Sequence, residues 1–152
     1  MAGIYVKNLT VSEKSIDLNR HVNNLEYLRW MMEASLEHSI ARGWPMERYV
    51  SSGSSWVIRS HYIKYLSPAF LGDSISIITW ISGVSKKSHP RKYLFWRARD
   101  KKILAEAETL WVFVNLATGR PMSIPEELKS AFDIVTAGKD EVLKQAFPNI
   151  TV

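Results

Sequence analysis

The 152-residue chain has no cysteine. It therefore forms no disulfide, no thiolate metal site and no cysteine nucleophile. Glycine is sparse, with seven residues, and none sits in a pattern that cradles phosphate. The four histidines, His21, His38, His61 and His89, are scattered without metal-ligand spacing, so neither a metal nor another resident cofactor is expected. No apolar run approaches the roughly 18 residues of a membrane span. The first residues lack the basic segment and long apolar run of a signal peptide, which makes a cytoplasmic protein the expectation. No repeat, low-complexity tract or Pro/Gly-rich linker divides the chain, and residues 1–152 read as one domain.

What is present is an ordinary globular composition, 46% hydrophobic and 23% charged, which argues against disorder. Six tryptophans, six tyrosines and five phenylalanines supply core, ligand pockets or subunit contacts. The net charge of +5 suits an anionic partner without choosing one.

Residues 4–11, "IYVKNLTV", alternate as a strand does. Residues 24–42 read as a long helix, with Glu26, Arg29, Glu33 and Glu37 in one polar stripe. Leu25, Leu28, Met32 and Leu36 form an apolar row, and Tyr27, Trp30, Met31, Ala34 and Ile40 widen it, so the helix should be buried on most sides. Asn23 suits an N-cap, with Glu26 placed for a capping box, and Gly43 and Pro45 supply the stop. Strand-like runs follow at 56–66, 73–84, 91–100 and 103–115, separated by short turns that favour antiparallel pairing. Residues 124–132 and 139–147 read as short helices. One strand, one long apolar helix and four antiparallel strands imply an α+β fold, with the sheet wrapped around the helix.

Just before the helix, "DLNRHVNN" (17–24) crowds an acid, a base, a histidine and three asparagines into eight residues. Taken with Tyr27, Trp30 and Glu33 or Glu37, with Tyr65, Pro68, Ala69, Gly72 and Asp73, and with "TGRP" and "IP" in 118–125, it carries a resemblance. Order and spacing resemble the hotdog-fold acyl-CoA thioesterases of the 4-hydroxybenzoyl-CoA thioesterase type, over nearly the whole chain. The "D.N.HVNN" pattern is also similar to that of the acyl-ACP (acyl carrier protein) thioesterases. Two departures stand out. Arg20 precedes the histidine where the bacterial CoA-type pattern often has glycine, and 51–58 lacks the further Glu or Cys of the acyl-ACP enzymes.

The resemblance implies hydrolysis of an acyl-CoA to a free acid and CoA, with CoA part of the substrate. Asp17 would be nucleophile or general base, and the amide at or near Asn24 would hold the thioester oxygen at the positive end of the helix. His21 would orient Asp17 or line the cleft, and Asn19 would hold water or a carbonyl; loop-shaping roles stand beside both. Tyr27 and Trp30 would line an acyl pocket or simply form core. Ser55, on a strand reaching across from a partner subunit, would position water. Lys86, Lys87, Arg91 and Lys92 concentrate charge at 85–92, where CoA phosphates would bind. A homodimer or homotetramer is implied. The alternatives are an acyl-ACP substrate, a non-catalytic acyl-CoA-binding protein, and a nucleic-acid module using the basic and aromatic run 91–99, nucleic acid being the least favoured partner.

Overall fold

The computed structural model describes residues 3–149. In chain order its elements are β1 (Ile4–Thr10), a 3-10 turn (Glu13–Ser15), α1 (Asn24–Ala41), α2 (Met46–Ser51), β2 (Ser54–Tyr65), β3 (Ser74–Ile81), β4 (Ser88–Arg97), β5 (Lys102–Asn115), α3 (Glu126–Ala131) and α4 (Lys139–Ala146). The strands form one antiparallel sheet in the order β1-β3-β4-β5-β2, so β1 and β2 are its edges. The expected wrapped helix is present, as α1 against the inner face.

Strand alternation assigns the side chains to two cores. Ile75, Ile77, Tyr93 and Phe95 face α1 and bury Tyr27, Trp30, Met31 and Ala34. Ile78, Trp80, Leu94 and Trp96 point the other way and are covered by Val142, Leu143 and Ala146 of α4. Burial on both faces is why "ISIITW" in β3 reads as a nearly continuous apolar run.

Three details depart from the sequence-based expectation. β4 begins at Ser88, three residues before the expected run at 91–100, so Arg91 and Lys92 lie inside the strand and not at its start. The short α2, opening at Pro45, has too few residues to show a helical period. The third concerns α1. Its buried face is Tyr27, Trp30, Met31, Ala34, Ser35 and His38. Two members of the apolar row expected inside are open, Leu25 at 70% and Leu36 at 43% exposure, while Leu28 and Met32 are partly buried. Beside it the edge strand β2 exposes Val57, Ile58, Tyr62 and Tyr65. The polar stripe behaves as read: Arg29 bonds Glu26 and Glu33, and Lys7 of β1 holds Glu37 at 2.7 Å.

Candidate active site

The loop 17–21 is a closed turn. The Asp17 amide donates to the His21 carbonyl at 2.9 Å, and the Arg20 amide to the Asp17 carbonyl at 3.0 Å. Asp17 Oδ1 accepts the Asn19 amide at 2.9 Å and the His21 amide at 3.4 Å. This is the Asx-turn expected of a loop aspartate. The other carboxylate oxygen, Oδ2, has no hydrogen bond among the described residues. Arg20 adopts φ +62°, the left-handed region that favours glycine, which gives a physical reason for glycine at this place in the related pattern. Its guanidinium reaches Glu13 at 3.0 Å.

Asn23 caps α1, its side chain accepting the Leu25 amide at 2.9 Å. Glu26 does not complete a capping box; its carboxylate goes to Ser15 Oγ and Arg29, while the Asn23 amide donates to the Ser15 carbonyl. Among the first amides of the helix, that of Leu25 is capped and that of Glu26 donates to the Asn23 carbonyl. The Asn24 N–H has no acceptor among the described residues. Asn24 lines a cleft of about 310 Å³ with His21, Tyr27, Tyr65, Leu66 and Pro68. The His21 ring sets its edge against Phe70. Burial, with Tyr65 beside it, pushes the Tyr27 hydroxyl up to about 12, so it is a neutral O–H.

The cleft is held in place by a buried ion pair. Arg97 of β4 donates to Asp73 at 2.7 Å, to Asp100 at 3.0 and 2.8 Å and to the Pro68 carbonyl at 3.2 Å. Asp73 also accepts the Phe70 amide at 3.0 Å. Burial pushes the Asp73 pKa up, but the Phe70 amide and the Arg97 guanidinium outweigh it and leave it lowered. The connection 66–73 fixed in this way presents the Ala69 carbonyl to the Val22 amide at 2.9 Å, which anchors the Asp17 loop. Gly72, at φ +84°, makes the turn that places Asp73. The "Y..PA..GD" segment thus positions the loop.

A second cavity, of about 260 Å³, lies farther along α1. Met32, Leu36, Trp56, Trp111 and Phe132 give it largely apolar walls, and Ser35, Ser55, His89 and Arg91 also line it. Ser35 Oγ is 2.6 Å from Tyr93 Oη, and Ser39 Oγ 2.8 Å from Tyr49 Oη. Arg91 Nη1 donates to His38 Nδ1 at 2.8 Å and to Thr79 Oγ1 at 3.1 Å. Burial first, and the Arg91 charge second, lower both His38 and His89 to about 3, so both rings are neutral.

The structure brings His21, Asn24 and Tyr27 together in the cleft, with Asp17 on its flanking loop. Asn19 is exposed and contributes its amide to the Asp17 turn. Trp30 is core. Ser55 lines the other cavity. The basic cluster expected at 85–92 does not form. Lys86 and Lys87 lie exposed on the β3–β4 connection, Arg91 is buried against α1, and Lys92 points to the opposite, outer face, because adjacent strand residues alternate. Sequence reading missed His38, Thr79, Trp111 and the cavity itself. The alternation His89, Arg91, Tyr93, Phe95 was the available signal.

Residues 11–132 match the thioesterase-like superfamily. The long-chain acyl-CoA thioesterase FadM of Escherichia coli is 25% identical over 121 residues, covering 78% of this chain and 89% of FadM. A chloroplastic palmitoyl-acyl carrier protein thioesterase of Gossypium hirsutum is 21% identical over 148 residues, 93% of this chain. The chain spans only 36% of that plant protein's length. A Staphylococcus aureus protein solved in complex with CoA superposes with a TM-score of 0.81 at 17% identity, covering 100% of this chain and 98% of the other. The shared fold is the hotdog arrangement of sheet and central helix, and the family match spans the loop, the cap and both cavities: this chain belongs to the thioesterase-like superfamily.

Proposed function

We propose that the protein hydrolyses an acyl-CoA thioester to the free acid and CoA. The observation that carries this reading is that Asn24, whose N–H has no acceptor among the described residues, lines the cleft beside the loop that holds Asp17. A thioester carbonyl seated there would place its oxygen at the positive end of α1, where an oxyanion is stabilised as it develops. Asp17, with Oδ2 free, acts in one of two ways. As general base it takes a proton from water, hydroxide adds to the carbonyl carbon, and the C–S bond breaks to release the CoA thiolate. As nucleophile it adds to the carbonyl carbon and expels the CoA thiolate as the C–S bond breaks, forming a mixed anhydride that water hydrolyses to the free acid and the Asp17 carboxylate. Net positive charge and the exposed Lys86 and Lys87 favour the anionic CoA nucleotide.

The working unit is a homodimer or a higher assembly built from it. An exposed 12-residue edge strand beside an open apolar helix face calls for a second copy of the chain. Antiparallel pairing of β2 about its middle places the start of the strand in one protomer beside its end in the other. The cavity lined by Ser55 and Trp56 then meets the cleft lined by Tyr65 and Leu66. An acyl carrier protein as the carrier is the second reading, favoured by the likeness to the plant enzyme.

The test is CoA release from a set of acyl-CoAs, with matched acyl-ACPs in parallel. Asp17→Asn should abolish turnover while CoA binding by calorimetry persists. Full activity in that variant rejects the mechanism. CoA binding without turnover by the wild type indicates a non-catalytic binder.

A further inference from the structure

Hydrolysis at the start of α1 makes no use of Arg91. This side chain is only 3% exposed, yet it lines the 260 Å³ cavity. A guanidinium has five N–H donors and no acceptor. Nη1 directs its two hydrogens to His38 Nδ1 and Thr79 Oγ1. Nε and Nη2 have no acceptor among the described residues, and no carboxylate of those residues lies within salt-bridge distance. The nearby imidazoles do not neutralise the cation. Nη1 can only donate, so His38 Nδ1 must accept, and the ring is uncharged. His89 is likewise held neutral by burial.

A buried cation without a counter-ion is strongly unfavourable. The same strand shows the ordinary solution, for Arg97 is paired with both Asp73 and Asp100. Arg91 differs in bordering an apolar cavity with one guanidinium edge free. That edge, Nε with Nη2, presents parallel donors that fit both oxygens of a carboxylate. A methyl-terminated chain would bury the charge further and leave it unpaired. A phenol offers one oxygen where two are matched.

We infer that this cavity receives the far end of the acyl group, and that the preferred acyl group ends in a carboxylate held by the free edge of Arg91. The protein would then act on ω-carboxyacyl thioesters, the mono-CoA esters of dicarboxylic acids. This assignment rests on the thioesterase reading and on the dimer that joins one protomer's cleft to the other's cavity. Apolar walls solvate the intervening methylenes, and Arg91 measures the chain.

The experiment compares chain-matched pairs: adipoyl- with hexanoyl-CoA, suberoyl- with octanoyl-CoA, and sebacoyl- with decanoyl-CoA. Wild-type kcat/KM should favour the carboxylate member by at least about tenfold at the best length, as for a site that rejects analogues lacking the polar group it binds. In Arg91→Met that ratio should collapse toward unity, mainly through KM. Equal or better turnover of the methyl-terminated partners by the wild type overturns the inference while leaving thioester hydrolysis standing. Calorimetric titration with free suberate and free octanoate reads the anchor without chemistry. Suberate binding that Arg91→Met loses supports the anchor even if no thioester is cleaved, and failure of the wild type to prefer suberate rejects it. Absence of turnover on every CoA ester, with suberate binding intact, counts against hydrolysis alone.

Discussion

Two buried arginines on β4 divide the site between them. Arg97, 4% exposed, is saturated by Asp73, Asp100 and the Pro68 carbonyl, and its task is to hold the chain. Arg91, 3% exposed, has two neutral partners and a free edge against a cavity. The first arginine locks the segment that positions the Asp17 loop. The second stands where a ligand can reach it. Arg97 brings its counter-ions from the same chain, whereas Arg91 has none among the described residues, and the ligand carboxylate proposed for it would take that place.

Opposite responses to mutation would sharpen this contrast. The largest expected effect is on the Arg97 side. Asp73→Asn leaves a buried guanidinium short of a charge and should lower unfolding stability by roughly 3–5 kcal/mol in urea titration. A loss below about 1 kcal/mol, the range of surface pairs, would mean that the corner is not the clamp described. On the other side the sign reverses. Arg91→Met removes an unpaired buried cation and should raise stability by roughly 1–4 kcal/mol without ligand, read by the same titration. A large loss instead would make Arg91 a structural group like Arg97.

The smallest of these effects is a pH dependence. His38 and His89 have folded pKa values of about 3, below the unfolded value near 6.5. Their contribution is complete above pH 6.5 and is lost as the pH falls toward 3, because the unfolded chain takes up protons that the folded one refuses. Between pH 6.5 and 5.5 the two together should cost about 2 kcal/mol, seen as a falling urea midpoint. A flat midpoint over that interval would show that the rings are not buried as neutral groups.

The two halves of the site differ in how they are written in the chain. Asp17, His21, Asn23 and Asn24 are nearly contiguous, so the capped helix and its loop are legible as a string, and the resemblance follows from it. The role of Asp73 was visible only as part of that resemblance, because its partner Arg97 lies 24 residues away. The cavity draws its walls from α1, α2, β2, β4, β5 and the segment after α3, and no local pattern reports such an assembly. Arg91 was misread for a specific reason. Standing at the first residue of the expected strand 91–100, Arg91 was grouped with the neighbouring Lys86, Lys87 and Lys92 as one surface charge cluster. Moving the start of β4 to Ser88 inverts that conclusion. Leu25 and Leu36 were taken for core because hydrophobicity marks a preference for burial, while the packing that decides which members of the row are covered is not local in sequence.

The most direct test of the central claim is the initial rate of free-thiol release from acyl-CoA by wild-type protein and Asp17→Asn, measured side by side at matched CoA occupancy. Turnover by the wild type, with a loss of at least about 100-fold in a variant that keeps its fold and CoA affinity, is the predicted result. Thiol release by Asp17→Asn at the wild-type rate would contradict it.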